Sequence, residues 1–306
     1  VYAYMEILNV TLKLLIVYLL TIGDFDKLKL YAVLTFAVSL IIMMIYRIYC
    51  LRHFKESHFH WVWDKTYLTP LLSFSGWNLY GNFGGIAGNQ ANNFVINSFF
   101  GVVLNAAASV AFTVSGIVTQ FSSNAMTAFR PQIIKKYASG DIQGMQSLTF
   151  LALKAIMMLY TLIAIPVFLE CDYILSLWLV EVPQMASIFC KILLISIFFE
   201  SMRYIIIIDI HASGNVKKVS AYSGTLFCIS PIISYFLFKI GLPVASTFIT
   251  IATINATLVL INVLIAKYYI PQIEQSKYFT TIGLVTFTYA ISLLILLPLQ
   301  QMLPSS

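Results

Sequence analysis

Long apolar stretches recur along the whole chain and are separated by short polar segments. About 20 apolar residues in a helix span the roughly 30 Å hydrocarbon core of a bilayer, and about nine stretches approach or exceed that length. They occupy residues 3–22, 31–49, 68–99, 103–128, 147–169, 184–210, 220–240, 244–266 and 279–300. The pattern predicts an all-α, polytopic membrane protein with about nine transmembrane helices.

The composition agrees with this class and narrows the chemistry. The mean hydropathy is +0.88, and 10% of the residues are charged, against about 25% in a soluble domain. The net charge of +6 is not gathered in one basic patch, which argues against nucleic acid as a partner. The four cysteines, at positions 50, 171, 190 and 228, have no metal-binding or redox spacing. We therefore expect neither a metal nor a cofactor.

Basic residues between the helices divide unequally between the two sides of the predicted bundle. If the side that holds the 50–66 loop is called the inside, the outside loops carry Lys27, Lys29 and Lys239. The inside loops carry Arg47, Arg52, Lys55, Lys65, Arg130, Lys135, Lys136, Lys217, Lys218, Lys267 and Lys277. Cytoplasmic loops of membrane proteins are enriched in Lys and Arg. The bias therefore predicts that the 50–66 loop is cytoplasmic.

The 50–66 loop differs from the others because it mixes bases with aromatic residues such as Phe59 and Trp61. That mixture is typical of a segment lying in the membrane interface. His58 and His60 have no third metal ligand at a usable spacing, so we interpret them as interfacial. The loop divides the chain into residues 1–49, an amphipathic linker at 50–66, and residues 67–306. Since the chain begins at Val and ends directly after an apolar stretch, we expect a piece of a longer protein.

Side-chain amides concentrate in the third predicted helix, where they are costly unless they meet protein or water. Asn78, Asn82, Asn89 and Asn93 fall within a helical sector of roughly 60°. Glycines lie on a neighbouring face, and the Gly84-x-x-x-Gly88 spacing allows another backbone to approach closely.

The fourth predicted helix repeats the pattern beyond a tight turn near Gly101. One face carries Asn105, Ser109, Thr113, Gly116, Gln120, Asn124 and Thr127. Hydrogen bonding between helices is one explanation for the two faces, but such bonds average only about 0.6 kcal/mol, and a few would suffice. We favour a water-filled cavity. Amides and hydroxyls both donate and accept hydrogen bonds, so they suit a sugar ligand.

Charged residues inside predicted helices are a second signal of function. Glu200 and Arg203 are spaced to pair on one helix, either as a neutral structural pair or as part of a site. Arg203 suits an anionic group, because a guanidinium matches phosphate oxygens in a fork. Lys191 lies near the outer end of the same helix and is a second candidate, although it can also snorkel to the surface. We expect Asp209 and His211 to lie at the cytoplasmic interface.

Three motifs resemble those of a known family. They are LSFSGWNLYGNFGG at 72–85, an FFG turn at 99–101 before Asn-Ala-Ala, and PQIIKKYASGD at 131–141. The chain thereby resembles bacterial polysaccharide flippases of the multidrug/oligosaccharidyl-lipid/polysaccharide exporter superfamily. The resemblance covers most of the chain and is strongest over 72–141. Relatives often have Arg after Asn-Ala-Ala, whereas this chain has Ala107-Ala108, which leaves Arg203 or Lys191 for a pyrophosphate.

The resemblance implies a fold of two lobes with a cavity between them, exposed to each side in turn. Residues 1–49 would be the last two helices of the N-terminal lobe, 50–66 the inter-lobe linker, and 67–306 most of the C-terminal lobe. The implied substrate is an undecaprenyl-pyrophosphate-linked oligosaccharide in the bacterial inner membrane. The implied contacts are membrane lipids and, as candidate partners, polysaccharide-assembly enzymes. The implied substrate-binding residues are Asn78, Asn82, Asn89, Asn93, Asn105, Gln120, Asn124, Arg203 and Lys191.

Two alternatives remain beside a flippase. A cation-coupled multidrug exporter of the same superfamily would favour acidic residues and an aromatic pocket in the cavity. A membrane enzyme of polysaccharide assembly would need a larger outer loop with acid or base groups. The outer loops are short and the longest, 170–183, offers three carboxylates, so we expect a transporter and not an enzyme.

Overall fold

The computed structural model describes residues 2–20, 26–54, 57–58 and 63–302. Within these ranges all regular structure is helical. The helices are α1 (Tyr2–Leu19), α2 (Lys27–His53), α3 (Lys65–Ala138), α4 (Ile142–Leu169), α5 (Cys171–Trp178), α6 (Ala186–Ala212), α7 (Lys217–Lys239), α8 (Ala245–Tyr269) and α9 (Gln275–Met302).

Six of these helices are long and apolar enough to cross a membrane: α2, α3, α4, α7, α8 and α9. The all-α, polytopic class predicted from the sequence therefore holds, while the count of about nine transmembrane helices stays a prediction. Helix α6 is also long, but it carries four charged residues, at positions 191, 200, 203 and 209. Two of these charged residues, Arg203 and Asp209, lie at the centres of the two polar sites described below.

Helix α3 consists of two segments that meet at Gly101. That residue has φ 78° and ψ −176°, a backbone conformation that only glycine adopts without strain. The predicted turn near Gly101 is thus confirmed as a break in the helix. We call residues 65–100 the N-terminal segment of α3 and residues 102–138 its C-terminal segment.

The chain divides into two compact units, Val1–Lys65 and Thr66–Ser306. In the first unit α1 packs against α2, and the side chain of Asp26 caps α2 by accepting hydrogen bonds from the backbone N–H groups of Leu28 and Lys29. Residues 55–56 and 59–62 of the predicted linker lie outside the described residues, whereas α2 extends into the linker as far as His53 and α3 begins at Lys65. The assignment of the two units to two lobes stays a prediction.

Helix α6 lies at the centre of the second unit. It packs against α4, α5 and α8, while α9 covers α4 and α7 packs on α8. The rings of Phe198 and Tyr289 stack with centroids 4.2 Å apart, and the hydroxyl of the buried Tyr160 donates to the backbone carbonyl of Leu194. These contacts fix α4, α6 and α9 around one apolar core, which in turn fixes the direction of the charged side chains on α6.

The glycine face of the N-terminal segment of α3 packs directly on α7. A Cβ atom added to Gly84 would lie 2.5 Å from the Cα atom of Gly224, and one added to Gly88 would contact the carbonyl oxygen of Phe227. The close backbone approach predicted from the Gly84-x-x-x-Gly88 spacing is confirmed. Beside it, Asn92 donates to Ser230 (2.9 Å) and accepts from the hydroxyl of Ser234 on α7 (3.0 Å).

A short turn joins α3 to α4 at the end that carries Lys135 and Lys136. Gly140 takes a positive φ of 78°, which lets the chain reverse. The carboxylate of Asp141 then caps α4 by accepting from the N–H of Gly144 (2.8 Å). The ammonium of Lys136 contacts the same carboxylate at 2.6 Å.

Candidate functional site

A cavity of about 520 Å³ opens between the two segments of α3, α6, α7 and α8 within the second unit. Such a volume lies in the range of sites for small molecules, about 300–1,000 Å³. Its polar lining residues are Asn78, Asn82, Asn89, Ser115, Thr119, Arg130, Ser196, Glu200, Arg203, Tyr204, His211, Ser220, Ser223 and Asn255. Uncharged amides and hydroxyls therefore dominate the polar part of the wall.

One wall carries three of the amides predicted to share a helical face. Asn78, Asn82 and Asn89 all line the cavity, and the amide nitrogen of Asn78 also donates to the carbonyl of Phe74 (3.0 Å). The opposite wall adds Asn255 of α8, whose Nδ2 donates to Ser196 (3.1 Å). Its Oδ1 is buried and has no partner among the described residues.

Arg203 is the central charge of the cavity. The residue is only 5% exposed, yet its contacts are long. Nη2 lies 3.9 Å from Oε1 of Glu200, Nη1 lies 3.5 Å from Oγ of Ser223, and Nε has no hydrogen-bond partner within the described residues. A guanidinium has five N–H donors, and leaving them unmet in a buried site is costly. A shift of the side chain toward an anionic ligand would supply the missing partners.

Aromatic rings hold the Arg203 side chain in place. Its guanidinium carbon lies 4.7 Å from the ring centroid of Tyr204 and 5.5 Å from that of Phe227. Both distances are within the range of cation–π attraction. The pair of Glu200 and Arg203, which the sequence left open between structure and function, thus faces the cavity with a weak mutual contact.

Two basic residues of the cavity were not recognised from the sequence. Arg130 was counted with the inside loops, and His211 was expected at an interface, but both line the cavity. A signal was present for His211. Positions 200, 203, 207 and 211 recur at three- and four-residue steps along α6 and so share one face. His211 lies in the last turn of α6, six residues before Lys217 in the sequence.

Four predicted site residues lie elsewhere in the second unit. Asn93 and Asn105 are partly buried, and the Oδ1 atom of each is without a partner among the described residues, but neither lines the large cavity. Gln120 donates to Asn124 (2.9 Å), and both line a separate cavity of about 410 Å³. Periodicity placed these amides on one helical face but did not reveal which neighbour covers it.

Lys191 does not line the cavity of about 520 Å³ either. Its ammonium contacts the carboxylate of Asp172 in α5 at 3.2 Å. The Asp172 side chain is 74% exposed, so this is a surface ion pair of small energetic value. The structure thus leaves Arg203, and not Lys191, beside the amides.

Asp209 is the second buried charge of α6, and its predicted position at the depth of the cytoplasmic interface stays a prediction. Its residue exposure is 0%. Oδ1 accepts from the hydroxyl of Thr149 (2.7 Å) and Oδ2 from the hydroxyl of Tyr278 (2.6 Å). Asp209 therefore joins α4, α6 and α9 and takes no part in the cavity wall.

Comparisons with known proteins do not identify a related site. The sequence matches no model of a protein family, no curated protein and no solved structure. Within the described residues, no group of three or more His, Cys, Asp or Glu side chains is placed to hold a metal ion. The chemistry of the site is therefore argued from the cavity itself.

Proposed function

We propose that this chain forms the substrate-handling part of a flippase that moves a lipid-linked oligosaccharide across the bacterial inner membrane by alternating access. The observation that carries the proposal is the cavity in which three aligned amides face a buried, incompletely paired guanidinium. A purely structural polar cluster in a membrane bundle would satisfy its own donors. In this cavity, Nε of Arg203 and Oδ1 of Asn255 are without partners among the described residues.

The arrangement fits both parts of such a substrate. Sugar hydroxyls donate and accept hydrogen bonds, as do the side chains of Asn82, Asn89 and Asn255. A pyrophosphate offers oxygens in the geometry that the fork of Arg203 recognises. Arg130 adds positive charge to the same wall. Because the guanidinium lies beside the amides, one bound molecule with an anionic end and a sugar end would meet both.

A cation-coupled exporter of the same superfamily is the second candidate, and one observation favours it. The cavity contains the carboxylate of Glu200 and the rings of Phe112, Tyr204 and Phe227. An organic cation would stack on those rings and pair with the carboxylate. Since the lining places Arg203 beside Glu200, the net charge offered to such a cation is small. We therefore rank this function below the flippase.

The test is complementation of a bacterial strain that lacks its polysaccharide flippase, scored by surface polysaccharide. We expect the gene to restore the polymer and Arg203→Gln to reduce it more than tenfold. Lys277→Gln is the matched control, because Lys277 is an exposed cation paired with Glu274 (2.8 Å) far along the chain from the cavity residues. Restored drug resistance without polysaccharide would instead support the exporter, and neither phenotype with normal expression would refute both.

Labelling with a water-soluble thiol reagent tests the cavity independently of the substrate. In a background with all four cysteines replaced by alanine, we expect Asn82→Cys and Asn89→Cys to react in open membranes. Asn92→Cys is the control, because Asn92 is 1% exposed and bonded to α7. Equal protection of all three positions would contradict a hydrated cavity.

A further inference from the structure

Two buried thiols meet at the junction of α5 and α6. Cys171 is the first residue of α5 and Cys190 lies in the second turn of α6. Their residue exposures are 1% and 0%. Both residues belong to one cluster of buried side chains, and the Sγ of Cys171 lies 3.8 Å from the carbonyl oxygen of Ser187, three residues before Cys190 on α6. Cys171 and Cys190 are nineteen positions apart in the sequence, so the spacing gave no sign of the pair.

A second cross-connection runs beside the first. The next residue of each helix, Asp172 and Lys191, forms the ion pair at 3.2 Å. Consecutive positions of α5 therefore lie opposite consecutive positions of α6: 171 opposite 190, and 172 opposite 191. Cys50 and Cys228 offer a contrast, since both are only half-buried and lie on α2 and α7.

We propose that Cys171 and Cys190 are a redox pair that closes to an intramolecular disulfide and staples α5 to α6. This inference goes beyond the proposed transport function and does not depend on it. It rests on the placement of both thiols in one buried cluster at the α5–α6 junction and on the predicted orientation of the chain in the membrane.

The predicted orientation of the chain places the pair on the outer side. Helix α4 begins at Ile142, next to Lys135 and Lys136, and ends at Leu169, so Cys171 lies at its opposite end. The charge bias of the loops assigns the Lys135 end to the cytoplasm. Outside the cytoplasm disulfides form and persist, whereas inside they are kept reduced.

The chemistry requires an oxidant that is itself a disulfide. The Cys171 thiolate attacks one sulfur of that disulfide, forms a mixed disulfide and releases one thiol. The Cys190 thiolate then attacks the Cys171 sulfur of the mixed disulfide, which closes the protein disulfide and releases the second thiol. Cys171 and Cys190 are thereby oxidised, the reagent is reduced to two thiols, and the protons of the protein thiols pass to the products.

The local environment favours Cys171 as the attacking residue. Hydrogen bonding with Cys190 lowers the pKa of Cys171 from its ordinary value of 9.0 to about 7, and the same interaction raises the pKa of Cys190. A lower pKa raises the fraction of thiolate at neutral pH, and the thiolate is the reactive form.

The experiment equilibrates the purified chain in buffers of stepwise oxidised-to-reduced glutathione ratio, from both the reduced and the oxidised side. Free thiols are then alkylated under denaturing conditions and counted by mass spectrometry. We expect one two-electron transition in which two of the four thiols become protected, and peptide mapping that links 171 to 190. The variant with both Cys50→Ala and Cys228→Ala should keep the same transition midpoint.

Single variants complete the test. Cys171→Ala and Cys190→Ala should each abolish the intramolecular transition and leave the thiol of the other residue alkylatable or mixed with glutathione. If either variant fails to fold, the Cys50→Ala/Cys228→Ala protein still decides, since only the proposed pair remains in it. Four alkylatable thiols in oxidised glutathione alone, or a disulfide that involves Cys50 or Cys228, would overturn the proposal.

Discussion

Arg203 and Asp209 are six residues apart on the same helix and nearly equally buried, but they meet opposite conditions. The guanidinium of Arg203 has two contacts at 3.5 and 3.9 Å and a partnerless Nε within the described chain. The carboxylate of Asp209 accepts two hydrogen bonds of 2.7 and 2.6 Å, one on each oxygen. One charge faces a cavity and the other ties three helices together.

The difference shows how to interpret a charge within a membrane bundle. Burial alone does not distinguish a functional from a structural charged residue, because both residues are buried. What distinguishes them is whether their hydrogen-bonding groups have partners within the fold. A charge whose donors or acceptors are satisfied by the fold stabilises that fold, whereas one that is left unsatisfied costs stability until a ligand binds. The following predictions test this distinction.

The largest effect on stability is expected from Asp209→Ala. The change leaves the buried hydroxyl of Tyr278 without its acceptor, although Thr149 retains the carbonyl of Met145 at 3.1 Å. Lost hydrogen bonds to a charged group and an unsatisfied donor together lower the free energy of unfolding by roughly 2–4 kcal/mol. Chemical unfolding in detergent measures this loss.

Asp209→Asn is the matched control for that change. It keeps one oxygen acceptor and nearly the same shape, so about half of the loss should remain. Equal stability of Asp209→Ala and the unaltered chain would show that the cluster contributes nothing to the fold.

A smaller effect on stability is expected at the contact between the N-terminal segment of α3 and α7. Gly84→Ala forces its new methyl group against the backbone of Gly224, which lowers the free energy of unfolding by roughly 1–3 kcal/mol. The adjacent Gly85 lines the cavity and has nothing within 4 Å of an added Cβ.

Gly85→Ala should therefore leave stability unchanged or raise it by about 0.5–1 kcal/mol, because alanine favours a helix. The two variants are compared by the midpoint of unfolding in detergent. A loss of the same size in both would mean that the close approach of α3 to α7 is absent.

Arg203→Gln is expected to change stability less than either glycine or aspartate variant, by about 1 kcal/mol or less, because the replaced contacts are long. Its effect should appear with ligand. Inorganic pyrophosphate should raise the unfolding midpoint of the unaltered chain, since a ligand that binds only the folded state stabilises it.

In the Arg203→Gln protein the same pyrophosphate titration should give no shift, while the Lys277→Gln control should behave as the unaltered chain does. A shift that persists in Arg203→Gln would place anion binding at another group.

The smallest effect is expected at the exposed carboxylate of Asp141. The hydrogen bond from Lys136, followed by that from the N–H of Gly144, holds the pKa of Asp141 below its ordinary value of 3.8. A lowered folded-state pKa adds stability above pH 3.8, and that stability is lost as the pH falls from there through the folded-state pKa.

In Asp141→Asn, which retains a capping oxygen, this part of the acid dependence should vanish. Unfolding curves recorded from pH 6 to pH 2 would measure it; an unchanged pH profile in the variant would show that the capping contact is not formed.

The sequence predicted the helices well because their signals are local. Apolar runs define the helices, and a glycine at a break or a close approach, such as Gly101 or Gly84, has a direct steric cause. Asn78, Asn82 and Asn89 were also grouped correctly, since they lie on one face of one helical segment. The same reasoning placed Asn93 with them, although it lies outside the cavity wall.

The remaining parts of the site depend on contacts between distant residues. No periodicity indicates that Thr149 and Tyr278 satisfy Asp209, or that Cys171 meets Cys190, because each partner lies on another helix. Arg130 was assigned to a loop, whereas α3 continues to Ala138. A helical face can be read from sequence, but its neighbour is decided by tertiary packing.

The contact of Gly84 and Tyr80 with Gly224 has a mechanical consequence. Because backbone lies on backbone there, sliding the N-terminal segment of α3 along α7 would drive side chains into Gly224, whose own added Cβ would lie 2.8 Å from the Tyr80 ring. The N-terminal segment of α3 and helix α7 are therefore expected to move together as one rigid body. A change in the volume of the cavity would therefore require a movement of α6, of α8 or of the C-terminal segment of α3 relative to this pair.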